Sequence, residues 1–324
     1  MMRATSSLSI RGIAILSIFS ISTFLLFLTY EHFTHTSIRD LISNAVLPSS
    51  SRQENGVTEG NWDLDIVISH YGEDLKKLRE TLEKIQAVPS VRKLKRRVIL
   101  YTKNKKLAKE TKAITRNLNI TTTIYLPNEG REGGTYLHHI INNYDTLAPH
   151  TLFLQANPHD LKRVLILLKD HFYEHTGALS LGPYGTCDCR NCKDPWSEVK
   201  WHRIGEIYTM SHESFCPPQD LLLAISGQMV ASRENIRTTK LKTYEKIYDT
   251  LRYRIGMDPQ PKWLSKEGIE NPFLGHGLER SWMVLFDCIK PEIAKTCKLG
   301  KNLGRDSCQC INKKAGHNKG RIGW

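Results

Sequence analysis

The chain is short of acid. Its 324 residues carry 33 Asp and Glu against 46 Lys and Arg, a formal net charge of +13 with a sequence pI near 9.3. That balance excludes a generally acidic surface and favours anionic partners: nucleic acid, anionic lipid or phosphorylated substrates. The common catalytic signatures are missing as well. There is no G-x-G-x-x-G fingerprint and no glycine loop ending in G-K-[ST], so neither standard phosphate-gripping motif is present. G-x-S-x-G, H-E-x-x-H and D-F-G are absent, and no Ser, His and Asp spacing nominates a triad. No internal repeat is found, which excludes solenoids and propellers. With 40% apolar and 24% charged residues, most of the chain is expected to fold around a core.

The strongest single signal lies at the N-terminus. Residues 13–30, IAILSIFSISTFLLFLTY, are eighteen uncharged residues that would rise about 27 Å as a helix, near the thickness of a bilayer core. No A-x-A cleavage site follows, so a retained signal anchor is expected over a cleaved peptide. Arg3 and Arg11 precede the run while Glu31 and His32 follow it, which by the positive-inside rule leaves a luminal or outer domain. The expected organisation is a tail over 1–12, the anchor over 13–30, a polar stalk over 31–61, a catalytic α/β domain over 62–289, and a basic, cysteine-containing tail over 290–324. That last segment holds nine Lys or Arg against two acids; a second basic cluster is Arg92, Lys93, Lys95, Arg96 and Arg97. Both read either as solvated surface or as contacts for phosphates or a membrane.

Eight cysteines follow the anchor. Cys187, Cys189, Cys192 and Cys216 lie in one region, Cys288, Cys297, Cys308 and Cys310 toward the end. An even count suits disulfides in an oxidising lumen, while four thiols in one loop region also suit zinc. Asn119-Ile120-Thr121 is the lone glycosylation sequon, a triplet common by chance.

From Trp62 onward the texture is α/β. Apolar runs at 64–71, 96–103, 121–127 and 150–157 read as buried strands, and helical spacings follow each of them. Strands alternating with helices predict a mostly parallel sheet flanked by helices, Rossmann-like, with ligands at the carboxyl ends of the strands. Residues 228–236 predict a strand running into a helix, and FLGHGLERSWMVLF (273–286) a short turn and then a helix.

Four segments at those ends carry candidate chemistry. In S-H-Y-G-E-D (69–74), His70 is a candidate base and Asp74 a helix cap. In PNEGREGGTYLHHI (127–140), Gly130, Gly133 and Gly134 permit close backbone approach to a ligand, and the helix start offers N–H groups to an anion. Glu132 and His138 are candidate catalytic groups there; Arg131 and Tyr136 are candidate substrate contacts, with helix capping the rival reading for Glu132. In Q-A-N-P-H-D (155–160), Gln155, Asn157 and His159 are candidate substrate contacts and Asp160 a cap. In G-H-G-L-E-R-S-W (275–282), His276 sits on a predicted turn and Glu279 is a candidate substrate contact, or a structural partner of Arg280. No metal ligands and no cofactor are expected.

The order of strand, helix and Y-T-K strand, then N-x-G-R-E and F-L-Q, resembles the front half of nucleotide-sugar glycosyltransferases with one mixed α/β sheet, the glycosyltransferase A-like architecture. Those enzymes carry D-x-D after the fourth strand, to hold a divalent metal on the diphosphate. Here Gln155-Ala156-Asn157 stands in that place, and neutral amides do not supply the charge a hard ion needs. Over residues 62–290 the segments DIVISHYGEDL, VILYTKN, LPNEGREGGTYLHHIINNYD, LFLQANPHD, SGQMVASRENI and LERSW more closely resemble a fungal family described as a domain of unknown function. The resemblance implies kinship with the arginine-containing cyclodipeptide synthases, which that family is taken to include. The resemblance implies synthesis of a cyclo-Arg-Xaa diketopiperazine from arginyl-tRNA and a second aminoacyl-tRNA, in secondary metabolism, at a membrane. It carries over no catalytic residues. The luminal orientation expected from the anchor disagrees with tRNA use, which is cytosolic.

Overall fold

The computed structural model describes residues 61–193, 202–253, 268–299 and 304–312. The expected N-terminal tail, the anchor and all of the expected stalk except Asn61 lie outside the described residues. Among the described residues no helix is long and apolar enough to cross a membrane. A compact unit begins at Asn61, next to the expected start of the catalytic domain.

The chain opens with strand β1 (Leu64–His70), every residue of which is buried. Helix α1 (Leu75–Ala87) follows. Asp74 caps it as expected, its carboxylate accepting from Lys76 N at 2.7 Å and Lys77 N at 3.2 Å. The short helix α2 (Pro89–Arg92) leads into β2 (Arg96–Thr102), α3 (Thr111–Leu118) and β3 (Thr122–Tyr125). Next come α4 (Arg131–Asn143), β4 (His150–Gln155) and α5 (Leu161–Asp170), the last capped by Asp160 through Arg163 N at 3.1 Å. Strands β5 (Thr176–Ser180) and β6 (Tyr184–Cys187), helix α6 (His202–His212), and strands β7 (Leu221–Ala224) and β8 (Met229–Ser232) complete the sheets but one. Helices α7 (Arg233–Ile236), α8 (Leu241–Tyr253), α9 (Phe273–Leu285) and α10 (Glu292–Thr296) precede β9 (Gln309–Ile311).

Seven strands form one sheet in the order β3-β2-β1-β4-β8-β5-β9; β6 and β7 form a separate antiparallel pair. The first four strands are mutually parallel, while β8 runs antiparallel to both β4 and β5, and β9 antiparallel to β5. Five of the seven strands therefore point one way, a mostly parallel α/β sheet with two reversed strands. Side chains alternate across it. Ile66 and Ile68 face α1, α3 and α5 through Leu78, Leu82, Ile114, Leu118, Val164 and Leu167. Val67 and Phe153 face α4, α8 and α9 through Leu137, Ile140, Ile247, Leu278 and Trp282. Each such fully buried aliphatic contributes about 1.5–3 kcal/mol.

Two expectations need correction, and one open alternative is decided. Residues past 290 are not merely a basic tail: α10 packs there, and β9 forms the last strand of the main sheet, fastened by Cys288–Cys310 and Cys297–Cys308. The turn expected around His276 is helix, because Pro272 starts α9 at Phe273 and Gly275 and Gly277 lie within it. Of the alternatives open for the cysteines the disulfide reading holds: Cys187–Cys192 and Cys189–Cys216 complete four disulfides, and no free cysteine remains to bind zinc.

Candidate functional site

Strand β1 pairs with β2 on one side and β4 on the other, so the order reverses between β1 and β4 and opens a crevice at their carboxyl ends. Ser69 of β1 and Gln155 of β4 face each other in register there. Ser69 Oγ lies 2.9 Å from Thr135 Oγ1, which holds the first turns of α4 over the crevice.

The backbone leading into α4 is unusual. Gly130 (φ 66) and Arg131 (φ 53) are both left-handed, a conformation that costs a non-glycine residue free energy. Lys103, at the end of β2, compensates. Its buried Nζ donates to the Glu129 carbonyl at 2.5 Å and to the Arg131 carbonyl. Burial pulls its ammonium down to about 8, although the Glu132 and Glu129 carboxylates raise it. The expected anion site at the helix start is occupied by the chain itself: Gly130 N donates to Ile269 O at 2.7 Å and Arg131 N to Glu270 O at 3.3 Å. The glycines serve packing, not a ligand. A Cβ on Gly134 would sit 2.5 Å from Glu129 O, and one on Gly133 2.8 Å from Leu278 Cδ2.

Three predicted residues meet. The Arg131 guanidinium lies 3.5 Å from Glu132 and 3.6 Å from Glu279, with both carboxylates nearly buried. Its Nη1 also rests against the His276 ring, 2.5 Å from Nδ1 and 2.6 Å from Nε2. Glu279 accepts from Ser226 N at 2.8 Å and pairs with Arg280. Gly227 (φ 56) faces both acids: a Cβ there would sit 3.3 Å from Glu132 Oε1 and 3.4 Å from Glu279 Cγ. The cluster thus sets Lys103, Arg131 and Arg280 against Glu132 and Glu279, with the Glu129 carboxylate beside Lys103 paired to Arg252 at 2.7 Å and a glycine keeping the space between Glu132 and Glu279 open. Both ion pairs of Arg131 exceed hydrogen-bond length, so its short contact is with the His276 ring and its hold on the two carboxylates is by charge.

The other predicted residues stand elsewhere. His70 uses both ring nitrogens to fix the β1–α1 loop: Nε2 donates to Glu73 O at 3.0 Å, which leaves Nδ1 to accept from the Thr102 hydroxyl at 2.9 Å. It positions the crevice wall and has no free nitrogen for base chemistry. His138 lies two turns along α4, edge-on to Tyr101 and beside Asn142, away from the strand ends. Burial, then His139 and Lys103, lower its pKa to about 4, so it stays neutral at ordinary pH. Tyr136 is fully buried beneath the cluster, tilted against Phe153 and Trp282, and its hydroxyl has no hydrogen-bond partner among the described residues. Burial first, then Glu132 and Glu279, push that phenol well above its ordinary value. Gln155 is half-buried at the end of β4; Asn157 and His159 are exposed beyond it. Lys103 and Gly227 were missed. A lysine ending the second strand was a readable signal for the first; only the fold brings Ser226-Gly227-Gln228 to the cluster.

Among the described residues no group of three His, Cys, Asp or Glu is placed to hold a metal ion. Residues 97–310 match the family described as "Protein of unknown function (DUF3431)". No curated protein matches the chain.

Proposed function

The chain belongs to the DUF3431 family, and from that premise we propose that it is an extracytoplasmic, membrane-anchored group transferase with a glycosyltransferase A-like domain and no D-x-D metal site. The observation that carries this reading is the pairing of all eight cysteines into four disulfides, which belongs to an oxidising compartment. The positive-inside orientation of the 13–30 segment agrees with it.

In this reading Arg131, Arg280 and Lys103 neutralise the diphosphate of a nucleotide-sugar donor, the task that D-x-D assigns to a metal. Arg131, held by long ion pairs and by its contact with His276, exchanges these for the donor diphosphate. Its departure frees Glu132 or Glu279 to accept the proton of the acceptor hydroxyl. The acceptor oxygen bonds to the anomeric carbon as the carbon–oxygen bond to the diphosphate breaks. Gly227 leaves room for the reacting atoms.

A second reading, cyclo-Arg-Xaa synthesis from aminoacyl-tRNAs, is favoured by one feature: two nearly buried carboxylates already flank a guanidinium, the group a substrate arginine would present. The test uses the full chain in detergent. It is incubated with a panel of nucleotide sugars, with and without EDTA and RNase, and free nucleotide diphosphate is measured. Turnover resistant to both reagents and cut about 100-fold or more by Glu132→Gln or Glu279→Gln is expected. An RNase-sensitive arginine diketopiperazine, with no donor turnover, would replace the first reading with the second.

A further inference from the structure

We infer that Asn119 is an N-glycosylation site whose glycan covers the open edge of the main sheet. The inference rests on the extracytoplasmic placement proposed above and concerns a different part of the molecule from the cleft.

Two independent features meet at this position. The first is the acceptor itself. Asn119-Ile120-Thr121 is the lone sequon of the chain. Asn119 ends α3 in the left-handed conformation (φ 50, ψ 52), with its backbone N–H bonded to Arg116 O and Thr115 O and its side chain exposed. Asparagine tolerates that conformation, and the αL cap turns the side chain out of the helix.

The second is what lies beside it. β3 ends the sheet order and pairs only with β2, so its other edge is open among the described residues. The segment that forms it, ITTTIYLP (120–127), has no charge, is rich in β-branched residues and keeps its only proline at the far end. Such an edge is a template for pairing with another chain, and proteins blunt it with charge, proline, bulges or a cover. None of the charged devices is present on β3, whereas the sequon asparagine stands immediately before the segment. The α3–β3 connection also lies at the amino end of the strands, opposite the cleft, so a glycan there leaves the candidate site clear.

The modification is balanced as a transfer from a lipid-diphosphate-linked oligosaccharide. The Asn119 amide nitrogen bonds to the anomeric carbon, the bond from that carbon to the diphosphate oxygen breaks, the lipid diphosphate leaves with the electron pair, and the amide gives up one proton.

The test expresses the full chain in a eukaryotic secretory host and treats it with peptide-N-glycosidase. A mobility shift is expected for the native chain and for Thr121→Ser, which keeps the sequon. No shift is expected for Asn119→Gly, which keeps the left-handed cap. Asn119→Gly is expected to retain its paired cysteines and donor turnover while scattering light at lower concentration or temperature than the glycosylated chain. Paired cysteines without any shift overturn the modification. A shift with unchanged aggregation overturns the shielding role. Free cysteines without a shift overturn the compartment and the inference together.

Discussion

Asp65, Arg97 and His139 form a buried polar cluster on β1, β2 and α4, outside the cleft. Arg97 donates to Asp65 through two bonds of 2.7 Å, and His139 Nε2 lies 3.7 Å from the same carboxylate while its Nδ1 is 3.0 Å from Tyr101 Oη. Burial alone would raise the Asp65 pKa; the His139 imidazole and Arg97 guanidinium outweigh it and lower it. Arg97→Met strands that carboxylate in the interior and is expected to cost about 3–5 kcal/mol, read as a lower thermal midpoint. A midpoint unchanged within error would mean the pair is solvated in solution. Lys103 gives a pH signature. Its folded-state pKa of about 8 lies below the value of an unfolded lysine, so the unfolded chain binds more protons above pH 8 and this group makes stability rise with pH there. The same deprotonation removes a cation from the cleft. Donor KM is therefore expected to rise above pH 8 with a smaller change in kcat, and Lys103→Met should flatten that limb. A wild-type KM constant from pH 7 to 9.5 would detach Lys103 from donor binding.

At the scale of elements, the approach of the Pro127–Gly130 turn to α4 decides where Arg131 and Glu132 stand. Gly134 sits under that turn, and an added methyl would meet the Glu129 carbonyl at 2.5 Å. Gly134→Ala is expected to cost about 1–3 kcal/mol and to lower turnover, because the turn and its Lys103 clamp move together. Gly72→Ala is the control, since an added Cβ there meets nothing within 4 Å. Equal effects of the two would refute the packing role. The periodicities of the first four strand–helix pairs were legible because they are local: β1, β2, β3 and β4 fall within the expected runs. The second half was less legible. β7 is four residues of a short apolar run, and β9 is three residues inside the stretch that reads as a basic tail. Neither is long enough to carry a period.

For the whole molecule, the disulfides matter more than the net charge. Cys288–Cys310 and Cys297–Cys308 hold α10 and β9 to the sheet edge, and each bridge contributes about 2–4 kcal/mol through the unfolded state. Reduction of the intact protein is expected to lower its thermal midpoint and to open tryptic cleavage at Lys295 and Lys298. Identical midpoints and digests with and without reductant would show that the bridges are dispensable and remove the main support for an oxidising compartment.

The sequence by itself determined the α/β class, the strand–helix order of the first half and the strand ends at which Arg131, Glu132 and Gln155 lie. It did so because spacing of apolar residues is a property of neighbours in the chain. It also nominated Glu279, without saying what that residue meets. Only the tertiary structure decided that Arg131 lies between Glu132 and Glu279, that Lys103 pins the turn at Glu129, and that Gly227 faces both acids. It alone decided that a late strand enters the sheet in reverse between β4 and β5. These are contacts between segments far apart in the chain, fixed by how the helices and strands bury their apolar faces together, and no local pattern records them.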